Sequence, residues 1–469
     1  MYYLAIDIGA SSGRHILGWV EQGKIKTEEV YRFENNAGLT NNLLCWNTKA
    51  LFHHILTGLK QCKIIGKIPV TVAIDTWAVD YVLLGQKGEI LSEAVCYRDN
   101  RTEPFVTTVE KKISFENLYR RTGIQKQVFN TVYQLMAEKE TRPQVFAQAE
   151  HLLMIPEYFN YLLTGEIKNE YTNASTTALV HAADKNWDWA LIDLLGYPAK
   201  LFGALHQPGS SVGHLLPAIQ QEIGFNCSVI LAASHDTASA YLSVPAKAEN
   251  SVYLSSGTWS LLGTEIDTPL VSDAARQANF TNEGGYEYRY RFLKNIMGLW
   301  MIQSIRRNLD KKYSFAELEQ FAREENDFQG FVDANDGRFL NPKSMIEEIK
   351  LACRESGQPV PQNIGQLMQC VYQSLAKTYA LTIQELEEIT NKVYTVLHIV
   401  GGGTKDVYLN QLTADYTGLT VLAGPTEGTV IGNLLCQMIA NREFDSLEQA
   451  RAAVRESFPI QMYQLKEKQ

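Results

Sequence analysis

The chain has 469 residues, too many for one ordinary hydrophobic core, and this length predicts two domains of roughly 200 residues each. Hydrophobic residues make up 45% and charged residues 20%, a composition typical of a folded protein. The net charge of −9 and the lack of a Lys/Arg-rich stripe argue against nucleic acid and anionic membrane surfaces as partners. We therefore expect small-molecule partners and a monomer or homodimer.

The sequence also predicts a cytoplasmic location. The N-terminus has no basic region of the kind that opens a signal peptide, and no apolar run approaches the ~18 residues of a membrane span. Seven cysteines form an odd set without a C-x-x-C pair, which favours reduced thiols over a zinc site or a disulfide framework. Cys353 and Cys370 are the one pair close enough in sequence to test for a disulfide.

Strands and helices alternate along the chain, a pattern typical of α/β sheets with helices packed outside. Strands are predicted over 2–8, 15–20 and 70–74, and Asn47 is expected to cap a helix between them. Further along, 229–233 and 396–400 read as buried strands. Apolar residues four apart predict a long helix around 367–379.

A short internal repeat supports two similar halves. Both 5–13 and 252–260 read as strand, small-residue turn and strand, and their Ser-Gly pairs end about half the chain apart, at Gly13 and Gly257. We therefore expect an N-terminal lobe over 1–243 and a C-terminal lobe over 251–469. The short polar segment 243–250, which contains Pro245, is the expected hinge.

Two glycine-rich turns are candidate phosphate sites. In 7–14 the small side chains would let backbone N–H groups approach a triphosphate, with Arg14 adding positive charge and Asp7 placed to hold Mg²⁺ through water. Gly401–Gly403 follow a buried strand, where a nucleotide could lie. Either turn could instead be purely structural.

Three polar groupings are candidates for a binding or catalytic role. Asp236 opens a helix of small residues and is either its cap or a general base for a substrate hydroxyl. Asp75, Trp77 and Asp80 combine carboxylates with an indole, which suits a polyol, although Trp77 could be core. Asn295 and Gln303, eight residues apart, are predicted to lie near one face of a helix.

Several segments together resemble the rhamnulokinase group of the FGGY carbohydrate kinases, in the same order and over nearly the whole chain. They are Asp-Ile-Gly-Ala-Ser-Ser-Gly-Arg at 7–14, Asp-Thr-Trp-Ala-Val-Asp at 75–80, Tyr-Arg-Asp-Asn-Arg-Thr at 97–102, His-Asp-Thr-Ala-Ser-Ala at 235–240, Ser-Ser-Gly-Thr-Trp-Ser at 255–260, Phe-Thr-Asn-Glu-Gly-Gly at 280–285, Asn-Ile-Met-Gly-Leu-Trp at 295–300 and Val-Gly-Gly-Gly at 400–403. The resemblance implies an α/β fold of two ribonuclease-H-like, actin-like ATPase lobes with a cleft between them.

The resemblance also implies an activity, transfer of the γ-phosphoryl group of ATP to the 1-hydroxyl of L-rhamnulose in rhamnose catabolism, with Mg²⁺ as cofactor. It assigns ATP contacts to Ala10, Ser11, Ser12, Gly13, Arg14, Thr258, Gln303 and Gly402. It assigns sugar contacts to Ala78, His235, Asp236, Thr237 and Asn295, with Asp236 as the proton acceptor.

One position departs from the pattern: the family's Trp-Gly-Val-Asp is Trp-Ala-Val-Asp here, so Ala78 adds a methyl group on the expected sugar side. That change leaves the ketose preference open. A kinase for L-fuculose or xylulose is therefore the enzymatic alternative. An actin-like nucleotide-dependent scaffold is the non-enzymatic one, because this fold hosts several functions.

Overall fold

In the computed structural model, which describes residues 1–247 and 250–466, the chain forms two compact units. Unit 1 comprises Met1–Ser243, Glu265–Phe292 and Thr429–Ser457, and unit 2 comprises Val244–Thr264, Leu293–Gly428 and Phe458–Gln469. Two stretches of the expected C-terminal lobe, 265–292 and 429–457, thus pack in unit 1. Of the expected hinge, residues 248 and 249 lie outside the described part of the chain.

The first 243 residues form the first of the three segments of unit 1. The strands are β1 (Tyr3–Ile8), β2 (Ser12–Glu21), β3 (Lys24–Glu34), β4 (Gly38–Thr40), β5 (Leu43–Trp46), β6 (Thr71–Thr76), β7 (Tyr81–Leu84), β8 (Ala94–Val95), β9 (His151–Met154), β10 (Asn169–Glu170), β11 (Val180–His181), β12 (Asn186–Trp187), β13 (Leu205–His206), β14 (Ser211–His214) and β15 (Ser228–Ile230). The helices are α1 (Thr48–Ile64), α2 (Glu103–Glu110), α3 (Phe115–Thr122), α4 (Thr131–Thr141), α5 (Pro143–Gln148), α6 (Ile155–Thr164), α7 (Tyr171–Ser175), α8 (Trp189–Leu195), α9 (Pro217–Ile223) and α10 (Asp236–Leu242).

A six-stranded sheet in the order β14-β15-β6-β1-β2-β3 forms the centre of unit 1. Strand β1 is buried along its whole length, which requires cover on both faces and explains why Asp7 is its one charged residue. Helix α1 supplies part of that cover through Leu51, Ile55 and Leu59, and the Asn47 side chain accepts the Ala50 N–H at 3.0 Å as its N-cap. The predicted cap and hairpin of this region are confirmed.

The rest of the chain supplies the elements of unit 2 and completes unit 1. The strands are β16 (Ser251–Ser256), β17 (Trp259–Ile266), β18 (Thr281–Gly284), β19 (Tyr290–Met297), β20 (Val396–Val400), β21 (Thr420–Ala423) and β22 (Gln461–Tyr463). The helices are α11 (Asp273–Gln277), α12 (Trp300–Asn308), α13 (Phe315–Glu324), α14 (Met345–Glu355), α15 (Ile364–Thr390), α16 (Val407–Thr417), α17 (Gly428–Ala440) and α18 (Leu447–Ser457).

In the second sheet β19, β17, β16, β20, β21 and β22 lie side by side in that order, with β18 next to β19. The internal repeat seen in the sequence is structural. In each half an antiparallel hairpin, β1-β2 or β16-β17, has its first strand beside a parallel strand, β6 or β20. The turns differ in length: Gly9 N–H donates to the Ser12 carbonyl three residues on, and Gly257 N–H donates to the Trp259 carbonyl two residues on, both at 2.9 Å. Gly13 therefore lies in β2 whereas Gly257 lies in the turn, so the two Ser-Gly pairs of the sequence repeat are not structurally equivalent.

Two further observations concern the whole described chain. Among the described residues no helix is both long and apolar enough to cross a membrane. All seven cysteines are buried, and the Sγ atoms of Cys353 and Cys370 lie 3.8 Å apart between α14 and α15.

Candidate functional site

Three carboxylates of unit 1 lie at the carboxyl ends of neighbouring strands. Asp7 of β1 and Asp75 of β6 are register partners on parallel strands. Asp236 follows β15, and the preceding residue, His235, forms a parallel bridge with Thr76. This edge is where α/β sheets commonly bind ligands.

The carboxylate of Asp7 is paired with Arg14 across the β1-β2 hairpin. The Nε and Nη2 atoms of Arg14 donate to Asp7 Oδ2 at 2.9 and 2.8 Å. Such charge-assisted bonds fix both side chains, so the guanidinium stays beside the glycine-rich turn. The arginine predicted to add positive charge at this turn therefore shares that charge with Asp7.

The turn between β1 and β2 is compact and braced. The Asn35 side-chain amide donates to the Gly9 carbonyl at 2.9 Å, and the Asn35 N–H donates to the Ser11 carbonyl at 3.0 Å. A Cβ on Gly13 would lie 2.1 Å from the Phe33 ring, so only glycine fits there. Ala10, Ser11 and Ser12 reach the surface at the tip of this turn.

Asp75 is the most buried of the three carboxylates. Its Oδ2 accepts a 2.6 Å hydrogen bond from Asn433, whereas its buried Oδ1 has no hydrogen-bond partner among the described residues. Burial, and after it the charge of Asp7, raise the pKa of Asp75 well above its ordinary range. An oxygen buried without a partner is costly and therefore points to a ligand or solvent molecule.

Asp236 is the first residue of α10 and does not cap it. The N-cap position belongs to His235, and no side-chain capping bond is made there. The Asp236 carboxylate instead accepts from Thr237 Oγ1 at 3.1 Å and lies 3.4 Å from His235 Nε2, with 32% of the side chain exposed. The capping alternative is therefore wrong, and the carboxylate is accessible to a substrate.

The pKa of the Asp236 carboxyl is raised from its ordinary value. Desolvation by the surrounding protein is the main cause. His235 opposes it by lowering the pKa, and the charge of Asp7 raises it further. A carboxylate of raised pKa accepts a proton more readily and stays ionised as long as the pKa is below the working pH. The arrangement therefore suits general-base chemistry.

A buried glutamate holds the chain just before Asp236. Oε2 of Glu170 accepts from the Ser234 N–H at 3.1 Å and the Ser234 hydroxyl at 2.6 Å, and Glu170 also caps α7 through Thr172 and Asn173. The loop that carries His235 and Asp236 is thus tied to a second loop of the same unit. Buried carboxylates satisfied in this way rigidify their surroundings.

The turn at 75–80 carries local strain. Val79 has φ of 65°, and the Asp80 N–H donates to the Ala78 carbonyl at 2.9 Å, so Val79 is the centre of a γ-turn that a β-branched residue rarely adopts. Bonds from Thr131 Oγ1 and Gln134 Nε2 to the Val79 carbonyl hold the turn in place. Strain retained at this cost is typical of functional segments.

The expected polyol grouping in this turn is only partly available. Asp80 is buried and accepts from the indole N–H groups of Trp46 and Trp77 at 2.7 and 2.9 Å, the Tyr97 N–H at 3.1 Å and the Gln134 amide at 3.0 Å. Trp77 is buried with its ring centroid 4.1 Å from that of Trp46, so the core alternative holds for this indole. Ala78 remains partly exposed.

In unit 2 three residues that were predicted to contact ATP lie near the ends of two adjacent strands. Thr258 follows β16 and Gly402 follows β20, and these strands are parallel neighbours. The Trp300 N–H at the start of α12 donates to the Thr258 carbonyl at 3.2 Å, which brings Gln303, one turn later, to the same region. Gly401 has φ of 92°, and a Cβ on Gly403 would lie 2.0 Å from Ser256 Oγ, so this turn requires glycine.

The prediction that Asn295 and Gln303 share one helix face is wrong. Asn295 belongs to β19 and Gln303 to α12, with a turn at Gly298 between them. A Cβ on Gly298 would lie 2.7 Å from the Ser260 backbone, so close packing against β17 turns the chain there. The buried Oδ1 of Asn295 has no hydrogen-bond partner among the described residues.

A magnesium ion was predicted beside Asp7. The described residues contain no group of three or more His, Cys, Asp or Glu side chains that could hold a metal by themselves. Mg²⁺ usually takes one or two carboxylates and completes its coordination with water and substrate phosphates. Oxygen donors on Asp7 and the partnerless Oδ1 of Asp75 fit that mode of binding.

Both halves of the chain match models of one protein family. The model of the FGGY family of carbohydrate kinases, N-terminal domain, matches residues 2–243, and that of the C-terminal domain matches residues 252–441. The chain belongs to the FGGY family of carbohydrate kinases. It is therefore a carbohydrate kinase, as the sequence predicts.

Individual relatives cover almost the whole FGGY kinase. A rhamnulokinase of Oceanobacillus iheyensis is 48% identical over 98% of this chain and 97% of its own, and one of Halalkalibacterium halodurans is 48% identical over 98% of each. Among solved structures, a ligand-bound xylulose kinase from Lactobacillus acidophilus superposes with a TM-score of 0.81 at 17% identity, over 99% of this chain and 94% of that one. The predicted α/β, actin-like fold is confirmed.

Several residues of this FGGY kinase site were not predicted to have a role. Asn433 and Glu170 hold Asp75 and the His235 loop, while Glu283 and Arg291 lie against the His235 ring. Glu283 is part of a segment that resembles the family, and Arg291 is one of two charges in an otherwise mostly apolar strand; the first of these is a signal that sequence reasoning could have used.

Proposed function

We propose that this FGGY kinase transfers the γ-phosphoryl group of ATP to the 1-hydroxyl of L-rhamnulose, giving L-rhamnulose 1-phosphate and ADP. Relatives named rhamnulokinase, 48% identical over nearly the whole chain, support this acceptor over other ketoses. The reaction belongs to rhamnose catabolism. The geometric observation that carries the proposal is the accessible Asp236 carboxylate, which is not used as a helix cap.

Asp236 is the general base of this reaction. As the 1-hydroxyl oxygen attacks the γ-phosphorus, its proton passes to the Asp236 carboxylate. The new O–P bond forms while the bond between the γ-phosphorus and the departing ADP oxygen breaks. A raised pKa makes this carboxylate a stronger base than an ordinary aspartate. The remaining contribution of the protein is to position the two substrates and to exclude water.

The sugar is assigned to Ala78, His235, Asp236, Thr237 and Asn295. Support comes from the polar atoms that these residues offer, including the partnerless Oδ1 of Asn295 and the partly exposed carboxylate of Asp236. A polyol with several hydroxyl groups satisfies such atoms by hydrogen bonding. The strained turn at Val79 supports a functional role for Ala78 beside it.

ATP is assigned to the turn Ala10–Arg14 of unit 1 and to Thr258, Gln303 and Gly402 of unit 2. Both segments are small-residue turns at strand ends, where backbone N–H groups can approach phosphates. A Cβ on Gly402 would meet no atom within 4 Å among the described residues, so the space beside it is open. When bound, Mg²⁺ would neutralise phosphate charge, and Asp7 and Asp75 are the residues that would hold it.

A coupled ADP-release assay over a panel of ketoses tests this function. We expect L-rhamnulose to give the highest kcat/KM, with L-fuculose and D-xylulose weaker and with slow ATP hydrolysis in the absence of sugar. Phosphorus NMR of the product should show a phosphate ester at C1. Equal or higher kcat/KM with another ketose would reject the acceptor, and no ADP release with any sugar would reject the reaction.

A further inference from the structure

An arginine and a glutamate are buried behind the ring of His235. Arg291 of β19 is only 1% exposed and Glu283 of β18 is 5% exposed, and both belong to unit 1, as His235 does. Arg291 Nη1 lies 3.0 Å from Glu283 Oε2, and Arg291 Nε donates to the Gly284 carbonyl at 3.0 Å. A charged pair this deeply buried is costly to desolvate, so it calls for a functional explanation.

Both charged groups contact the same nitrogen of the imidazole. Arg291 Nη2 lies 3.1 Å from His235 Nδ1, and Glu283 Oε2 lies 3.3 Å from it. The guanidinium has only donors, so its contact requires an unprotonated Nδ1, whereas contact with the carboxylate requires a protonated one. The two contacts therefore favour opposite tautomers of His235.

The geometry favours the arginine. Its contact with Nδ1 is a hydrogen bond and is the shorter of the two, while Glu283 is already engaged by the same guanidinium. Burial raises the pKa of Glu283, but the positive charge of Arg291, 3.0 Å away, is the largest of the influences that bring it below its ordinary value. Glu283 therefore holds Arg291 in place, and Arg291 donates to the His235 ring.

We propose that Arg291, held by Glu283, keeps His235 Nδ1 unprotonated, so that the imidazole proton stays on Nε2 and points to Asp236. This assignment rests on the proposed role of Asp236 as the base. Arg291 and Glu283 are positioning residues, because they act on the reacting carboxylate only through His235. Fixing a tautomer through the far nitrogen of a histidine is a general device of catalytic sites.

The consequence for catalysis lies in which carboxylate oxygen is free. His235 Nε2 lies 3.4 Å from Asp236 Oδ1, and Thr237 Oγ1 donates to the same oxygen at 3.1 Å. The Thr237 hydrogen bond and the nearby Nε2–H group both act on Oδ1 and orient the carboxylate, and Oδ2 is left to take the proton of the sugar hydroxyl. Loss of the Nε2 proton would turn the attraction between the ring and Oδ1 into repulsion and let the carboxylate rotate.

The direct test is the tautomer of His235 in the wild-type protein. Nitrogen-15 NMR of the histidine-labelled protein, with His235→Gln to assign the signals, distinguishes protonated from unprotonated ring nitrogens. We expect Nδ1 to be unprotonated and Nε2 to carry the proton at neutral pH. A protonated Nδ1 would overturn the proposal, whether or not the enzyme phosphorylates L-rhamnulose, so this result is separable from a failure of the proposed function.

Variants test the chain of contacts. Arg291→Met removes the donor and leaves Glu283 as the acceptor, so the proton should move to Nδ1, and kcat should fall ~10-fold or more, short of the ~10²–10⁴ expected for loss of the base. KM for ATP should stay unchanged. Glu283→Gln should keep the Nε2 proton, because the arginine remains beside Nδ1. Arg289, which is partly exposed and does not contact His235, is replaced in Arg289→Met as the matched control and should leave both readouts unchanged.

The variants also allow for a folding failure. Because Arg291→Met leaves a buried charge without its partner, the double variant Glu283→Met/Arg291→Met removes both charges and tests the same point. In the double variant His235 should lose its fixed tautomer and kcat should fall as in the single variant, while circular dichroism stays native. An Nε2 proton and a normal kcat in either folded variant would refute the positioning role.

Discussion

The side-chain amide of Asn433 donates a 2.6 Å hydrogen bond to Oδ2 of Asp75, across 358 positions of sequence. The same amide donates to the Ala73 carbonyl at 3.2 Å, and Gln437 Nε2 donates to Asn433 Oδ1 at 2.8 Å. Helix α17 therefore carries part of the polar interior of unit 1. A residue near the C-terminal end of the chain thus fixes a carboxylate at the predicted phosphate edge of the first sheet.

Asn433→Ala should destabilise the protein by about 1–3 kcal/mol, because it leaves the buried Asp75 carboxyl without its hydrogen-bond donor and removes one of the two acceptors of the Gln437 amide. Urea unfolding measures the change. Asn441→Ala, which removes one partly exposed bond to the Gln437 carbonyl, is the control and should cost less. A loss no larger than that of the control would show that the Asn433–Asp75 bond is not needed for stability.

Asp80→Asn should weaken both the fold and sugar binding. Asparagine has one acceptor oxygen, so its NH₂ group would face one of the four donors now held by Asp80, at a cost of about 1–3 kcal/mol. Because the strained turn at Val79 shares Gln134 with Asp80, KM for the ketose should rise more than KM for ATP. Thermal unfolding and steady-state kinetics measure these effects. Trp46→Phe removes a single donor and should be milder.

Ala78→Gly should lower KM for L-rhamnulose far more than KM for ATP, because the methyl group is assigned to the sugar side. One methyl-sized change in a pocket is worth about 1–3 kcal/mol. The strained φ lies at Val79 and not at Ala78, so glycine is not required at position 78 for backbone reasons. Equal changes in the two KM values would remove Ala78 from the sugar site.

His15 makes the stability of unit 1 sensitive to acid. Its ring is buried against Gly58, where a Cβ would lie 2.2 Å from it, and burial lowers its pKa from 6.5 to about 3. Between these two values the unfolded chain binds the proton and the folded chain does not, so stability falls as pH falls through that window. The slope from this group is about 1.4 kcal/mol per pH unit. His15→Phe should flatten the curve of unfolding free energy against pH from 6.5 to 4.5, and an unchanged slope would contradict the assignment.

The strands and turns of this fold are largely readable from sequence. Strand β20, predicted over 396–400, has those bounds, because a short apolar run ending in three glycines allows little else. The repeat of a small-residue turn in each half led to both hairpins. Membership of the FGGY family then confirmed the fold and the class of reaction.

The sequence could not predict contacts between residues that lie far apart in the chain. Asn295 was predicted to lie in a helix because its spacing from Gln303 fits one. The turn at Gly298 that separates them is imposed by contact with Ser260, about forty positions away, which local sequence does not show. The pairing of Arg291 with His235 and of Asn433 with Asp75 depends on which strands and helices become neighbours. Local periodicity carries no information on such contacts, so these residues had no predicted role.

The proposed reaction depends most on Asp236 as the general base. Asp236→Asn preserves the size of the side chain and an oxygen that can accept from Thr237 Oγ1 but removes basicity, so the variant should fold normally and bind ATP with unchanged affinity by calorimetry. Asp193→Asn, on the exposed side of α8, is the matched control and should behave as wild type.

The decisive measurement is kcat for L-rhamnulose phosphorylation by Asp236→Asn. Loss of the general base predicts a fall of ~10²–10⁴ with ATP affinity intact. A folded Asp236→Asn enzyme that phosphorylates L-rhamnulose at a near-normal kcat would contradict the assignment of Asp236 as the base.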